Sequence, residues 1–425
     1  MGMSLAISEI PPEIWLRVLR AVTESPNEFF TLFSDSVSSA DSHPCFDGRT
    51  LDLESFKQSL RGHMMMKKSV ISTCRSWYHL AFPFLFEVVI INDDVSSALL
   101  LDTLAKSKSN PGRYIKYLYC GKLDYLSSIS LWCPNLAVLN MSIPRHYVRP
   151  RVPLPQLLST LTSFTYCEYL AQSDEMFRLL SSVSNIHRLE LCVRVAPRRH
   201  SFGSRTLVFP HLRSLTLRNQ NSRCGESCEL IAEKWHMPNL RSIYGIGELS
   251  QWPQCFDAPS VTALTYTTSF YSPSVLSACP KLEEVTFRSR DIVWMPGPVP
   301  SRRVNLFCFT IETLHDHFVS LNNPVTYPRL QVISIFNRYA PDTSVVPRTP
   351  EQWNNKRDWT FWSYWYRRWG SRNVRLEDGL GAIIIPPVHT IFGTTTDDDY
   401  NNWYYAATMG NNFFESIYDP PYEEW

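Results

Sequence analysis

Between Ile115 and Ile335 a short unit, apolar-x-x-apolar-x-apolar, recurs every 21 to 28 residues, and no other feature restricts the fold as tightly. Units begin at Ile115, Leu136, Leu161, Ile186, Leu212, Leu240, Val261, Leu282, Val304 and Leu330. With 44% hydrophobic residues the bare triplet arises by chance in about one window in twelve, so periodicity alone decides little. The prolines sharpen the test. Pro134, Pro210, Pro259, Pro280 and Pro328 each stand two residues ahead of a unit, and Pro238 does so where Gly245 takes the third slot. With 30 prolines in 425 residues, chance places about two or three there.

Proline in that position ends a preceding helix and sets an extended approach to a strand, because its missing N–H cannot serve a ladder interior. Between units the chain reads helical, as at Ile311, Leu314, Phe318 and Leu321. Each unit is then a short strand and a helix, neither able to bury its apolar face alone, and stacking supplies that burial. The predicted body is an α/β array with a parallel sheet; an ordinary α/β domain is the competing fold. The solvent-facing positions of its strands are the candidate target contacts: Arg188 and Glu190, Arg213 and Thr216, Arg241 and Tyr244, Glu283 with Glu284, and Gln331. Their mixed sign suits a protein ligand better than a phosphate backbone.

Ahead of the array, residues 8–22 read as a helix with prolines at its opening and Glu13 in its first turn. Ile14, Val18 and Leu19 form one apolar strip, with Trp15 and Val22 beside it. Such a helix buries one side in its own domain and offers another to a partner. After a Ser- and Asp-rich stretch, Val70, Cys74, Trp77 and Ala81 predict an amphipathic helix over 67–81, ended by Phe82 to Phe86 and followed by a first strand at Glu87 to Ile91.

The Ile-Pro-Pro-Glu-Ile segment at 10–14 and its apolar helix, followed by Cys74-Arg75-x-Trp77-x-x-Leu80-Ala81 running into Leu85-Phe86-Glu87-Val88, resemble an F-box-like domain of the fungal type. The resemblance covers about residues 8 to 91, with a long insertion between its halves. It implies a small helical module that docks on a Skp-type adaptor of a cullin and RING (SCF-type) ubiquitin ligase. Ile10, Pro11, Ile14, Val18 and Leu19 match the first motif; Cys74, Trp77, Leu80 and Leu85 match the second. The array likewise resembles irregular leucine-rich repeats, which F-box-like proteins often carry as target receptors. Pro144, Gln220 and Arg290 stand where that repeat usually places Asn or Cys.

Past Pro341 the pattern lapses. Five tryptophans fall between Trp353 and Trp369, with Trp359, Trp362, Tyr366 and Trp369 at helical spacing. This predicts an aromatic helix that caps the array, or an aromatic recognition surface with Lys356, Arg357, Arg367 and Arg368 beside it. A loosely ordered acidic tail around Asp397 to Asp399 follows.

Other features mainly exclude. Forty-one basic against 40 acidic residues give no global attraction to nucleic acid or anionic membrane. Met1 to Ala6 lacks a secretory pattern, the longest greasy stretch is too short to span a bilayer, and 11 scattered cysteines suit reducing cytosol or nucleus. Cys224, Cys228 and His236 are at most half a zinc site. Phosphate-binding loops, nucleophile elbows and zinc-protease motifs are missing.

The expected organisation is an F-box-like module at 1–91 with an inserted loop at about 25–66, a leucine-rich-repeat-like solenoid at 92–340, and an aromatic cap with an acidic tail at 341–425. The expected role is a substrate-recognition adaptor of a ubiquitin ligase, without catalytic residues, cofactor or metal, binding neither nucleic acid nor membrane. Ile14→Asp with Leu19→Asp is expected to abolish adaptor docking while leaving the body folded. The alternatives are a non-ubiquitin leucine-rich-repeat scaffold or receptor and, third, an uncharacterised hydrolase.

Overall fold

The computed structural model describes residues 11–23, 64–91, 94–120, 129, 131–142, 160–168, 177, 180–183, 185–193, 206–219, 234–246, 256–266, 279–288, 298–308, 311–337, 356–378 and 381–384. Two compact units emerge, Met1–Leu240 with Gln254–Asp257, and Arg241–Pro253 with Ala258–Trp425. The first opens with α1 (Pro12–Thr23), a helical run over 64–71 and α2 (Arg75–Phe86). It continues with β1 (Val88–Ile91), α3 (Asp94–Lys106), a 3-10 turn (Pro111–Tyr114), β2 (Tyr117–Cys120), β3 (Val138–Ser142), β4 (Ser163–Glu168), β5 (Arg188–Val193), β6 (Thr206–Val208), β7 (Ser214–Asn219) and β8 (Lys234–His236). The chain places β9 (Ser242–Ile246) in the second unit and returns to the first for β10 (Phe256–Asp257). It ends in the second with β11 (Ala263–Tyr266), β12 (Glu284–Phe287), β13 (Arg303–Cys308), α4 (Ile311–Leu321), β14 (Val332–Asn337), α5 (Lys356–Ser371) and β15 (Arg375–Asp378).

The architecture is mixed α/β with parallel strands paired in sequence order. In the first unit β1, β2, β3, β4, β5 and β7 lie side by side; in the second, β9, β11, β12, β13, β14 and β15 do. A small parallel sheet of order β10, β8, β6 accompanies the first set, with Phe209 packed on the buried Trp235 at 5.6 Å between ring centroids. Parallel strands thus occur within 1–91, where β1 lies in the first unit, and within 341–425, where β15 lies in the second.

Register explains the core. Leu118, Leu139, Phe164, Leu189 and Leu215 face one another across successive strands, and so do Ile243, Leu264, Val285, Val304, Ile333 and Leu376. Every one of these side chains is almost fully buried. Burying such a side chain contributes about 1.5–3 kcal/mol, so each strand is held chiefly by the apolar row it shares with its neighbours.

The proline motif turns out to be a repeated reverse turn. In Cys133-Pro-Asn-Leu136, Phe209-Pro-His-Leu212, Met237-Pro-Asn-Leu240, Ala258-Pro-Ser-Val261 and Cys279-Pro-Lys-Leu282, the last N–H donates to the first carbonyl at 3.1–3.4 Å. Proline presets the backbone angle of the second turn position, and the flanking apolar residues are both buried. Beyond the turns, one carbonyl accepts two successive N–H groups of the next strand's approach. Thr162 takes His187 and Arg188 at 2.7 and 3.0 Å, and Glu283 takes Arg302 and Arg303 at 2.8 and 3.0 Å. Asn135 and Asn239 add side-chain bonds to the carbonyls of Arg113 and Pro210, each at 2.7 Å. Gly245 takes the third apolar slot for a backbone reason: its φ is 94°, and the β9–β11 register skips it between Tyr244 and Ile246. Only glycine accommodates such a bulge without strain.

Three expectations need correction. Val304 pairs with Val285 inside β13, so that unit starts three residues earlier, at Ser301. A fully buried serine fills a slot apolar elsewhere, which hid it from an apolar pattern. The helix predicted over 67–81 is broken at 72–74, where Cys74 is extended and exposed. Its second half continues through Pro83 to Phe86 instead of ending at Phe82. Phe82 packs against Phe86 at a tilt, 5.0 Å between ring centres, and meets Tyr114 edge-on at 6.2 Å, and this packing offsets the backbone bond that Pro83 cannot donate.

The aromatic helix forms as α5, but its buried stripe is Phe361, Trp362, Trp365 and Trp369, with Tyr366 half-buried. All four rings surround Phe318 of α4 at centroid distances of 5.2–6.5 Å. These rings serve packing and not an exposed recognition surface. The side chains of Lys356, Arg357 and Trp359, and the tail after 384, lie outside the described residues. No described helix is long and apolar enough to cross a membrane.

Candidate functional site

The first candidate surface is α1. Pro12 opens it, and the Pro11 carbonyl accepts the Ile14 N–H at 3.0 Å. Successive residues rotate by about 100°, so Trp15 and Leu19 share one strip and Ile14 and Val18 the next. The first strip faces inward: Leu19 is 1% exposed, and Trp15 meets Trp77 of α2 at 5.2 Å. The neighbouring strip is bare, with Ile14 46% and Val18 44% exposed, and Leu16, 37% exposed, lies on the other side of the buried strip.

The strip predicted as Ile14, Val18 and Leu19 is therefore divided between core and surface. Pro11 and Cys74 are exposed; Trp77, Leu80 and Leu85 are half-buried; Ile10 lies outside the described residues. Leu19→Asp would test the fold of the module and not its docking, which corrects the expected double substitution. Sequence reasoning also missed Lys67. Nearly buried, it donates from Nζ to the Phe84 carbonyl at 3.0 Å and ties the 64–71 run to the last turn of α2. Burial lowers its pKa, and Glu87 partly opposes that.

The second candidate surface is the sheet face opposite the apolar rows. Across the second unit it carries Tyr244, Thr265, Thr286, Asn305, Ser334 and Glu377 in register. Arg303 donates to Glu377 at 3.0 Å and to Ser334 at 2.9 Å, and Arg375 reaches the other Glu377 oxygen at 2.5 Å. Asn305 bonds Glu284 and, at 3.1 Å, Thr286. Arg288 donates to the Tyr244 hydroxyl at 3.2 Å and lies 4.4 Å from the Phe307 ring centre. This network satisfies groups that would be costly to bury unpaired. The pattern missed it because, apart from the Arg375–Glu377 pair within β15, its bonds join residues 19 to 74 positions apart.

The predicted target contacts divide accordingly. Thr216 is 7% exposed, and Arg188, Glu190 and Tyr244 are half-buried, so the strand face is less open than expected. Arg213, Arg241 and Glu283 are exposed, but they lie one residue ahead of β7, β9 and β12, where the Arg213 N–H donates to the His187 carbonyl and the Arg241 and Glu283 carbonyls accept from the next strand's approach. The accessible charges sit at the approaches to the strands because the strand faces are occupied by cross-strand partners.

For catalysis, His236 Nδ1 lies 2.7 Å from Asp257 Oδ2, and no serine or cysteine joins that pair among the described residues. No group of three or more potential metal ligands occurs among the described residues, and Cys224 and Cys228 lie outside them. No protein-family model matches the chain, and no curated protein does.

Proposed function

We propose that this protein is a substrate-recognition adaptor of a cullin-RING ubiquitin ligase: α1 and its packed partner α2 form an F-box-like module that docks a Skp-type adaptor, and a leucine-rich-repeat-like solenoid selects the target. The observation that carries the reading is the division of α1. Trp15 and Leu19 anchor it, while Ile14 and Val18 remain exposed as an apolar strip on an ordered helix. Adjacent exposed apolar residues on a helix fit a groove-docking mode. The parallel strands, repeated proline turns and apolar rows support the solenoid. Catalysis in this role is by proximity: the target is held near activated ubiquitin carried by other subunits, which raises its effective concentration.

The test is co-expression with a Skp-type adaptor and size-exclusion chromatography. The native chain should co-elute with the adaptor, and Ile14→Asp with Val18→Asp should elute alone with an unchanged circular dichroism spectrum. Co-elution that survives the double substitution would reject the role given to α1.

A further inference from the structure

In the second unit an open groove of about 550 Å3 lies where the approaches to β14 and β15 meet the end of α5. Its polar lining is Arg329, Gln331, Arg372, Asn373 and Arg375, with no carboxylate among the described lining residues. Arg372 is fixed: it donates to the carbonyls of Leu321 and Tyr327 at 3.0 and 3.1 Å and lies over the Trp369 ring at 5.2 Å. These partners are neutral, so among the described residues its charge is positioned without a counter-charge. Arg329 is exposed and makes no ion pair among the described residues. Arg375 is half-exposed and shares one buried carboxylate, Glu377, with Arg303. The local excess is thus positive in a chain whose overall charge is nearly balanced.

We propose that this groove binds a carboxylate-rich, Asp- and Glu-containing segment of the target protein. The inference rests on the array being the target-binding part and names the chemistry that part selects. Guanidinium groups pair with carboxylates through charge-assisted, often bidentate hydrogen bonds, and a preset guanidinium loses less freedom on binding than a loose lysine. The amides of Gln331 and Asn373 add neutral donors to the same lining. A nucleic acid fits less well, since the aromatic ring beside the arginines, Trp369, is fully buried and offers no stacking face.

The test uses the purified full chain and a fluorescein-labelled peptide of alternating Glu, Asp and Ser, read by anisotropy. Expected are binding of this peptide, no binding when its acidic residues are replaced by Ser, and weakening as salt is raised. Arg329→Glu should weaken binding by about tenfold or more, and Lys108→Glu, a charge change of equal size on an exposed residue of the other unit, should leave it unchanged. Binding unaffected by Arg329→Glu, equal binding of the Ser peptide, or stronger binding of an oligonucleotide would each overturn the proposal. The assay contains no adaptor. A chain that co-elutes with the adaptor and ignores the acidic peptide would fail this inference alone, and the reverse would fail only the ligase reading.

Discussion

Replacing Phe318 by alanine probes the packing that holds the last strands of the second unit. Phe318 is fully buried and lies within 5.2–6.5 Å of the ring centres of Phe361, Trp362, Trp365 and Trp369. A buried phenylalanine truncated to alanine costs about 3–5 kcal/mol through lost transfer free energy and the cavity left behind. Edge-on and stacked ring pairs add about 0.5–1.5 kcal/mol each, though not additively, which places this site in the upper half of that range, near about 4 kcal/mol. Each kcal/mol shifts the melting temperature of a unit of this size by about 2–4 °C, so the expected shift is on the order of 10 °C. Three of the four surrounding rings are tryptophans, and their emission during urea or thermal unfolding reports the change directly. Phe318→Leu, which keeps most of the volume, should cost less than about 1.5 kcal/mol. A cost below about 1 kcal/mol for Phe318→Ala would refute the packing of α5 on α4.

Leu19→Asp should destabilise the α1–α2 contact by about 3 kcal/mol or more, seen as altered emission from Trp15 and Trp77, because it places a carboxylate in a site 1% exposed. His315 is buried beside Trp365, and burial lowers its pKa to about 4 from 6.5. It is neutral in both states above pH 6.5; below that the unfolded chain takes up its proton while the folded one resists. Stability should therefore fall as pH drops from 6.5 towards 4, by about 3 kcal/mol from this group in total. His315→Gln should flatten that decline in urea unfolding series at pH 7 and pH 5, and an unchanged decline would assign it elsewhere.

What the sequence makes legible follows the range of the interactions. The proline turns are local, four residues closed by one hydrogen bond, so the pattern of Pro134, Pro210, Pro238, Pro259 and Pro280 locates five strand approaches without coordinates. The helix at Ile311, Leu314, Phe318 and Leu321 is legible for the same reason, since its period lies within one element. Ser301 broke the apolar code, and β15 escaped it because Arg375, Glu377 and Asp378 surround a single apolar Leu376. The burial of Glu377 and Asp378 depends on register with β14, set far upstream in the chain. Periodicity also shows that α1 carries two apolar strips but not which one turns inward; that choice is made by Trp77, some 60 residues away. The Arg329, Arg372 and Arg375 groove combines two strand approaches and a helix end, a juxtaposition that no single segment encodes.

The most direct measurement is amide hydrogen exchange across residues 12–19 of the full chain, with and without a saturating Skp-type adaptor. Docking through the Ile14 and Val18 strip predicts slowed exchange along α1, with β3 and β13 unchanged. Identical exchange in α1 with and without the adaptor would contradict the account.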